Sequence, residues 1–527
     1  LPWSTRTANL SYFLTRNARR LPGQPALIRG ETVLTWAELD IRVSALSAAL
    51  RDDFGIGTGD RVLVQSPNGF EIVETMLACF RLGAVWVPAN FRQSPDEVAW
   101  LAEKSEVALM ICDGGFPDHA RLCVDRRGSL PVLRIGDGDF DQAYEAAVSR
   151  HLGTVVADAA VDRDSPCWHF FTSGSTGRPK AVVLTQGQLG FVIVNHLCDL
   201  IPGTTERDRS LVIAPLSHGA GMHLLLQLAT GAASVLMPPG RMDPAIAWQL
   251  VERHRITNMF TVPTIVKMLV EDPAVDRYDH GSLRHVIYAG APMYRADQKV
   301  ALRKLGKVLV QYFGLGEVTG CITVLPADEH EIEDVPGARI GTCGRERTGM
   351  QVTIRDDAGR DLPPMTTGEI CVTGPGVCAG YYRNDEANGQ AFRDGWFCTG
   401  DLGHMDAEGY LYITGRKSDM YISGGSNVYP REIEELLLTH PDIAEAAIIG
   451  LPDPRWGEVG LAVCVAVPGI VPDEAGLRAF VETRIARYKQ PAHYVFLPEL
   501  PKTGYGKVTK KLLRETLAAA GLLPGAP

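Results

Sequence analysis

The sequence predicts an α/β fold: a large N-terminal body of several subdomains, with mixed and parallel sheets flanked by helices, followed by a small α+β C-terminal domain. Three observations carry this. Helical and strand periodicities alternate through the first third with short connections, the pattern of largely parallel sheets. A glycine-dense, turn-rich stretch then gives way at Gly415-Arg416-Lys417-Ser418-Asp419 to a compact pattern of its own. Finally, 527 residues, 45% of them apolar, can bury a large core without disulfides or metals.

Thr35 and Glu38 form a capping box, and Leu39, Val43, Leu46 and Leu50 follow at helical spacing. The glycine turn from Gly55 to Gly59 leads into a strand at 62–64. Ile72, Val73, Met76, Leu77 and Phe80 mark a helix that Gly83 stops before a strand at 84–87. Ser94, Pro95 and Glu97 supply an N-cap, a first-turn proline and a capping glutamate for the next helix, and 107–111 is the next strand. Short strands fall at 351–354 and 368–372. Beyond Asp419 come helix 430–439, strands 444–449 and 461–467, helix 473–487 and strand 494–496. The expected division is 1–416 and 417–527.

A net charge of −10 and a pI near 5.8 argue against a broad basic face for nucleic acid, while leaving room for a local phosphate pocket. Eleven cysteines, an odd number with no C-x-x-C pair, argue against a disulfide framework or zinc site and fit reduced thiols in a cytoplasm. The first residues carry no secretory pattern, and the last four are not a peroxisomal address. The uncharged stretch 210–240 is broken by Pro215, Ser217, His218, Gly219, Gly221, Gln227 and Gly231, so it reads as buried core and pocket wall rather than a membrane span. With 54 glycines and 34 prolines, about one residue in six shapes a turn.

The most informative turn is Thr172-Ser173-Gly174-Ser175-Thr176-Gly177-Arg178-Pro179-Lys180. Its glycines let backbone N–H groups encircle phosphate oxygens, its hydroxyls add donors, and its cations offset charge. The spacing is not that of a Walker A loop.

This segment resembles the phosphate-binding signature of the adenylate-forming superfamily: acyl-CoA synthetases, beetle luciferases and peptide-synthetase adenylation domains. Further motifs follow in order. Tyr288-Ala289-Gly290-Ala291-Pro292 resembles the adenine-side loop, and Phe313-Gly314-Leu315-Gly316-Glu317 the aromatic-Gly-x-Thr-Glu motif. Trp396-Phe397-Cys398-Thr399-Gly400-Asp401 resembles the ribose motif, Gly415-Arg416 opens the hinge motif, and Pro501-Lys502-Thr503-Gly504-Tyr505-Gly506-Lys507 resembles the catalytic-lysine motif.

The resemblance implies ATP, Mg²⁺ and coenzyme A as cofactors, and two half-reactions. A carboxylate attacks the α-phosphorus of ATP, releasing pyrophosphate; a thiol then attacks the acyl-adenylate, releasing AMP. In this reading Lys507 and Lys180 stabilise charge, and Glu317 holds the metal as a hard oxygen ligand. Phe313 offers a face to adenine, and Asp401 accepts hydrogen bonds from vicinal ribose hydroxyls. Arg416 binds ribose or phosphate. Lys507 sits in the small domain, so the resemblance implies that this domain is mobile and rotates about the hinge between half-reactions.

Two positions depart from the family pattern. Gly316 stands where a threonine is usual, so a backbone N–H or Thr319 would have to replace the missing hydroxyl. Ser418 stands at the hinge position, with Asp419 next to it. The segment from Ile422 to Pro430 resembles the thioester-forming loop of acyl-CoA synthetases, where Gly424 and Gly425 would let pantetheine pass. An acyl- or aryl-CoA ligase is therefore the leading reading. A stand-alone enzyme loading a carrier protein, and an inactive nucleotide sensor motivated by Gly316, are the alternatives.

The acid pocket is expected along His218, Gly219 and Ala220 and along Val318, Thr319, Gly320 and Cys321, with His218 at the carboxylate end. These segments contain no arginine or lysine, which favours an apolar monocarboxylic acid, fatty or aromatic. The small residues leave room for it. The expected partner is that small molecule, with a second copy of the chain as a further candidate and neither nucleic acid nor a transmembrane segment.

Overall fold

The computed structural model describes residues 5–140, 142–172, 179–471, 473–502 and 508–524. The chain divides into two compact units, one of Leu1–Met293, Asp297–Val352 and Val372–Phe397, the other of Tyr294–Ala296, Thr353–Cys371 and Cys398–Pro527.

Two sheets organise the first unit. The six-stranded sheet runs Val132–Ile135, Leu109–Asp113, Arg61–Gln65, Val85–Ala89, Pro166–Thr172, Lys180–Thr185. All its pairings are parallel except the last. The nine-stranded sheet runs Arg345–Glu346, Thr323–Leu325, Leu309–Phe313, His285–Tyr288, Asn258–Thr261, Arg209–Val212, Ala233–Leu236, Pro25–Arg29, Thr32–Thr35. It is parallel from Leu309–Phe313 to Pro25–Arg29 and antiparallel at both edges. Central strands covered on both faces read as unbroken apolar runs, which is why Val62, Leu63 and Val64 are all fully buried.

The helices begin where the sequence places their caps. Thr35 and Ser94 each accept from the backbone N–H three residues on, and Glu38 and Glu97 reach back to complete both capping boxes. Helix Phe70–Leu82 ends on Gly83 in the left-handed conformation at φ +70°. Asn68 ties the two sheets together: its Nδ2 donates to the Ala214 carbonyl and its Oδ1 accepts from Leu216 N, both at 2.9 Å. That clamp fixes the turn leading to His218.

The second unit holds an antiparallel pairing of Asp401–Met405 with Leu411–Arg416 and a separate five-stranded sheet. In the latter, Ser426–Val428, Tyr421–Ser423, Gly457–Ala466 and Ile443–Asp453 are neighbours in that order, and His493–Phe496 pairs parallel to Gly457–Ala466. The strand expected at 444–449 runs to Asp453, because its ladder continues to a turn that Asp453 closes. There Oδ1 accepts from Arg455 N and Trp456 N at 2.8 Å. Helices Pro430–Leu437 and Glu474–Glu482 pack Ile433, Leu437, Leu477 and Val481 onto this sheet. Among the described residues, no helix is long and apolar enough to cross a membrane. None of the eleven cysteines is joined in a disulfide.

Candidate active site

Thr172 and Lys180 face each other across an antiparallel ladder, so the stem of the hydroxyl-and-glycine segment is a β-hairpin. The Trp100 indole N–H donates to the Pro179 carbonyl at 3.1 Å and holds one side of that stem. Ser173, Gly174, Ser175, Thr176 and Gly177 lie outside the described residues, as does Lys507.

After strand Leu309–Phe313 the chain makes a tight turn, Gly316–Val318, that buries Glu317 to 6% exposure. Two hydroxyls, Thr172 Oγ1 and Tyr381 OH, donate to Glu317 Oε1 at 3.0 Å each. Glu317 Oε2 is buried with no partner among the described residues. Tyr381 reaches Glu317 because its segment pairs with strand Lys180–Thr185, through Ala379 N to the Val183 carbonyl and Tyr382 N to the Ala181 carbonyl. Burial and the Glu317 carboxylate push the Tyr381 phenol up, so it remains a donor. Lys180 Nζ lies 5.1 Å from the centre of the same ring. One tyrosine thus joins a cation to a carboxylate whose second oxygen is unspent, a donor suited to a hard divalent cation.

The missing threonine has a steric reason. A Cβ at Gly316 would lie 2.6 Å from two ring carbons of Phe170 and 2.7 Å from Thr172 Cγ2. Thr319 does not replace it: its buried hydroxyl donates to the Val318 carbonyl at 2.7 Å. Gly290, Ala291 and Pro292 follow strand His285–Tyr288 as an exposed turn, with Gly290 at φ +81°. Phe313 and Gly314 follow at the end of the neighbouring parallel strand. Carboxyl ends of parallel strands are where such sheets take their ligands.

The pocket segments come together around helix Gly219–Thr230. His218 is its N-cap residue; its ring stacks on Phe170 with centroids 4.5 Å apart, and its Nδ1 donates to the Ser217 carbonyl at 3.1 Å. Ala220, Val318, Thr319 and Cys321 are buried. Burial pushes the Cys321 thiol up to about 11. The room that Gly219 and Gly320 were expected to leave is filled by aromatic rings. A Cβ at Gly219 would sit 2.5 Å from Phe260 Cζ, and one at Gly320 2.5 Å from Tyr312 Cε2. Phe260, Tyr312 and His223 form a wall of three nearly parallel rings, within 12° to 23° of one another.

A buried arginine stands behind this wall, although none interrupts the pocket segments. Arg347 bonds the Gly320 carbonyl at 3.2 Å, pairs with Asp199 at 3.3 Å and donates to His196 Nδ1 at 3.2 Å. Its charge is met by Asp199.

In the second unit, buried Asp401 pairs across the ladder with exposed Arg416, Nε to Oδ1 3.1 Å. Ser418 is exposed and donates to Asp419 Oδ1 at 3.2 Å. Gly424 and Gly425 are the two-residue turn of a hairpin between Tyr421–Ser423 and Ser426–Val428. Their φ values of +57° and +79° are those such a turn demands.

Sequence reasoning missed Tyr381, Phe170, Phe260, Tyr312, His196, His223 and Arg347. None belongs to a spaced motif; Tyr381, for example, meets Glu317 across 64 residues of chain.

The chain matches two families: AMP-binding enzyme over residues 14–382 and AMP-binding enzyme C-terminal domain over residues 432–507. It is 37% identical over 511 residues to a feruloyl-CoA synthase of an Amycolatopsis species, covering 97% of this chain and 99% of that one. It is 36% identical over 518 residues to an indoleacetate–CoA ligase of Aromatoleum aromaticum, covering 97% and 98%. Among solved structures, o-succinylbenzoate CoA synthetase from Bacillus subtilis with its acyl-adenylate superposes with a TM-score of 0.85 at 29% identity, covering 98% of each chain.

Proposed function

The chain belongs to the AMP-binding enzyme family, and from that premise we propose that its substrate is an aromatic carboxylic acid. The reaction class is that of an ATP-dependent, AMP-forming acid–thiol ligase: acid and ATP give acyl-adenylate and pyrophosphate, and coenzyme A then gives acyl-CoA and AMP. Two things support an aromatic acid. The ring wall of Phe260, His223 and Tyr312 suits a flat substrate. Relatives at 36–37% identity bear the names of feruloyl and indoleacetate ligases.

The observation that carries the adenylation half is Glu317, with Oε1 held by two hydroxyls and Oε2 buried and unspent. Glu317 would hold Mg²⁺ there, and the ion would neutralise phosphate charge. The substrate carboxylate displaces pyrophosphate at the α-phosphorus, a step in which positioning and charge stabilisation supply most of the rate. Lys180, braced on the Tyr381 ring, is assigned to the phosphates. Thr172 and residues 173–177 are assigned to phosphate binding, Gly290, Ala291, Pro292, Phe313 and Gly314 to adenine, and Asp401 with Arg416 to ribose. Lys507 supplies charge to the adenylation step from the segment 417–527, with Ser418 as hinge and Gly424-Gly425 as the pantetheine turn. His218, braced on Phe170, stands at the carboxylate end of the pocket formed with Gly219, Ala220 and Val318 to Cys321. Eleven cysteines without a disulfide support a reducing, cytoplasmic setting.

The test is a panel of aromatic and straight-chain acids with ATP and CoA, reading AMP release. Aromatic acids should give the highest kcat/KM, with AMP release dependent on CoA. Preference for straight-chain acids would overturn the aromatic reading, and release that requires a carrier protein would overturn the thiol assignment.

A further inference from the structure

The ring wall ends in two histidines that the reaction above does not use. His223 lies on the pocket helix, buried, its ring stacked on Phe260 at 4.5 Å. His196 lies on helix Gln186–Asp199, fully buried, with the two imidazole centroids 5.3 Å apart. Each has a buried Nε2 with no hydrogen-bond partner among the described residues. A buried polar atom without a partner is costly, and two on neighbouring rings of one wall suit a ligand group that can pair with them.

Their protonation tells what that partner must be. Arg347 lies 3.2 Å from His196 Nδ1, which leaves Nε2 as the ring nitrogen without a partner among the described residues. Burial and the nearby Arg347 charge keep both rings neutral, His223 down to about 3. A neutral imidazole pair brings no charge to offset a second buried carboxylate, and the cation nearby is already paired with Asp199. A hydroxyl, which both donates and accepts, satisfies a neutral imidazole pair.

We propose that His196 and His223 form the far, polar end of the acid pocket and bind a ring hydroxyl of the aromatic acid. The inference rests on the pocket assignment above. His218 caps the helix Gly219–Thr230 that carries His223, so one element supplies a residue to each end of the proposed site. His218 then meets the carboxylate end while the histidine pair meets the opposite end, across the flat wall.

The experiment compares 4-hydroxycinnamate with cinnamate, and 4-hydroxyphenylacetate with phenylacetate, on the full-length protein with ATP and CoA, reading pyrophosphate release. The wild type should favour the hydroxylated acid of a pair by roughly 10- to 100-fold in kcat/KM. His223→Phe, which keeps a ring against Phe260, should bring that ratio close to one. His223→Gln, which retains a donor and an acceptor, should keep most of the preference. A wild type indifferent to the hydroxyl, or a His223→Phe enzyme that loses both acids equally and so keeps the ratio, overturns the proposal. Turnover of straight-chain acids with neither aromatic pair accepted is a different failure, which removes the aromatic reading itself.

Discussion

The ring of Phe170 occupies the space that a side chain at position 316 would need, 2.6 Å from where its Cβ would stand. The same ring carries the His218 imidazole at 4.5 Å. A side chain at position 316 and the Phe170 ring therefore compete for the same space. Gly316→Thr should overpack this site and cost about 1–3 kcal/mol of stability, with a larger loss of activity through the displaced His218. Phe170→Leu combined with Gly316→Thr should recover much of both. A double-mutant cycle on urea midpoints and AMP release measures the coupling, and additive effects would refute it.

Tyr381→Phe removes one donor to Glu317 while keeping the ring beneath Lys180. Loss of a hydrogen bond to a charged group costs about 1.5–3 kcal/mol, so KM for Mg·ATP should rise by roughly tenfold or more with the melting temperature little changed. Tyr381→Leu removes the ring as well and should be worse. Equal effects of the two would place the contribution in packing rather than in the hydroxyl.

Lys507→Ala should abolish pyrophosphate release from acid and ATP yet spare thioester formation from supplied acyl-adenylate and CoA. The assignment rests on the 501–507 motif alone. Survival of both half-reactions would show it to be wrong.

Acid should destabilise the fold before carboxylates protonate. Burial pushes His169 and His223 down to about 3 and His285 to about 4. In the unfolded chain each titrates near 6.5, so below that pH the unfolded state binds more protons than the folded one. Stability is complete above about pH 6.5 and falls as the pH drops toward the folded values, by about 1.4 kcal/mol per pH unit for each histidine. Urea midpoints between pH 7 and pH 4 should show this slope, and His169→Gln should reduce it by one proton. An unchanged slope in that variant would exclude His169 as a contributor.

Much of this protein was legible in the one-dimensional pattern. Capping boxes at Thr35 and Ser94, the stop at Gly83 and the alternation of helix and strand are local signals, set by backbone hydrogen bonding within a few residues. The ordered motifs identified the family and nominated Glu317, Asp401 and Lys180, because phosphate and ribose chemistry demands fixed residue types at fixed spacing. The small residues of the pocket were also legible, but their meaning was inverted: Gly219 and Gly320 do not open space, since Phe260 and Tyr312 enter it.

What surrounds the reacting groups was decided only by tertiary structure. Tyr381 meets Glu317, Phe170 meets Gly316, and Arg347 meets His196 through contacts between distant segments, each made by one side chain at one position. Such contacts carry neither period nor spacing. They arise where elements of different sheets, helices and turns pack against one another, and close packing then fixes which rings and polar atoms meet. The sequence by itself determined the reaction class; only the tertiary structure decided that Phe260, Tyr312 and His223 lie together as one ring wall.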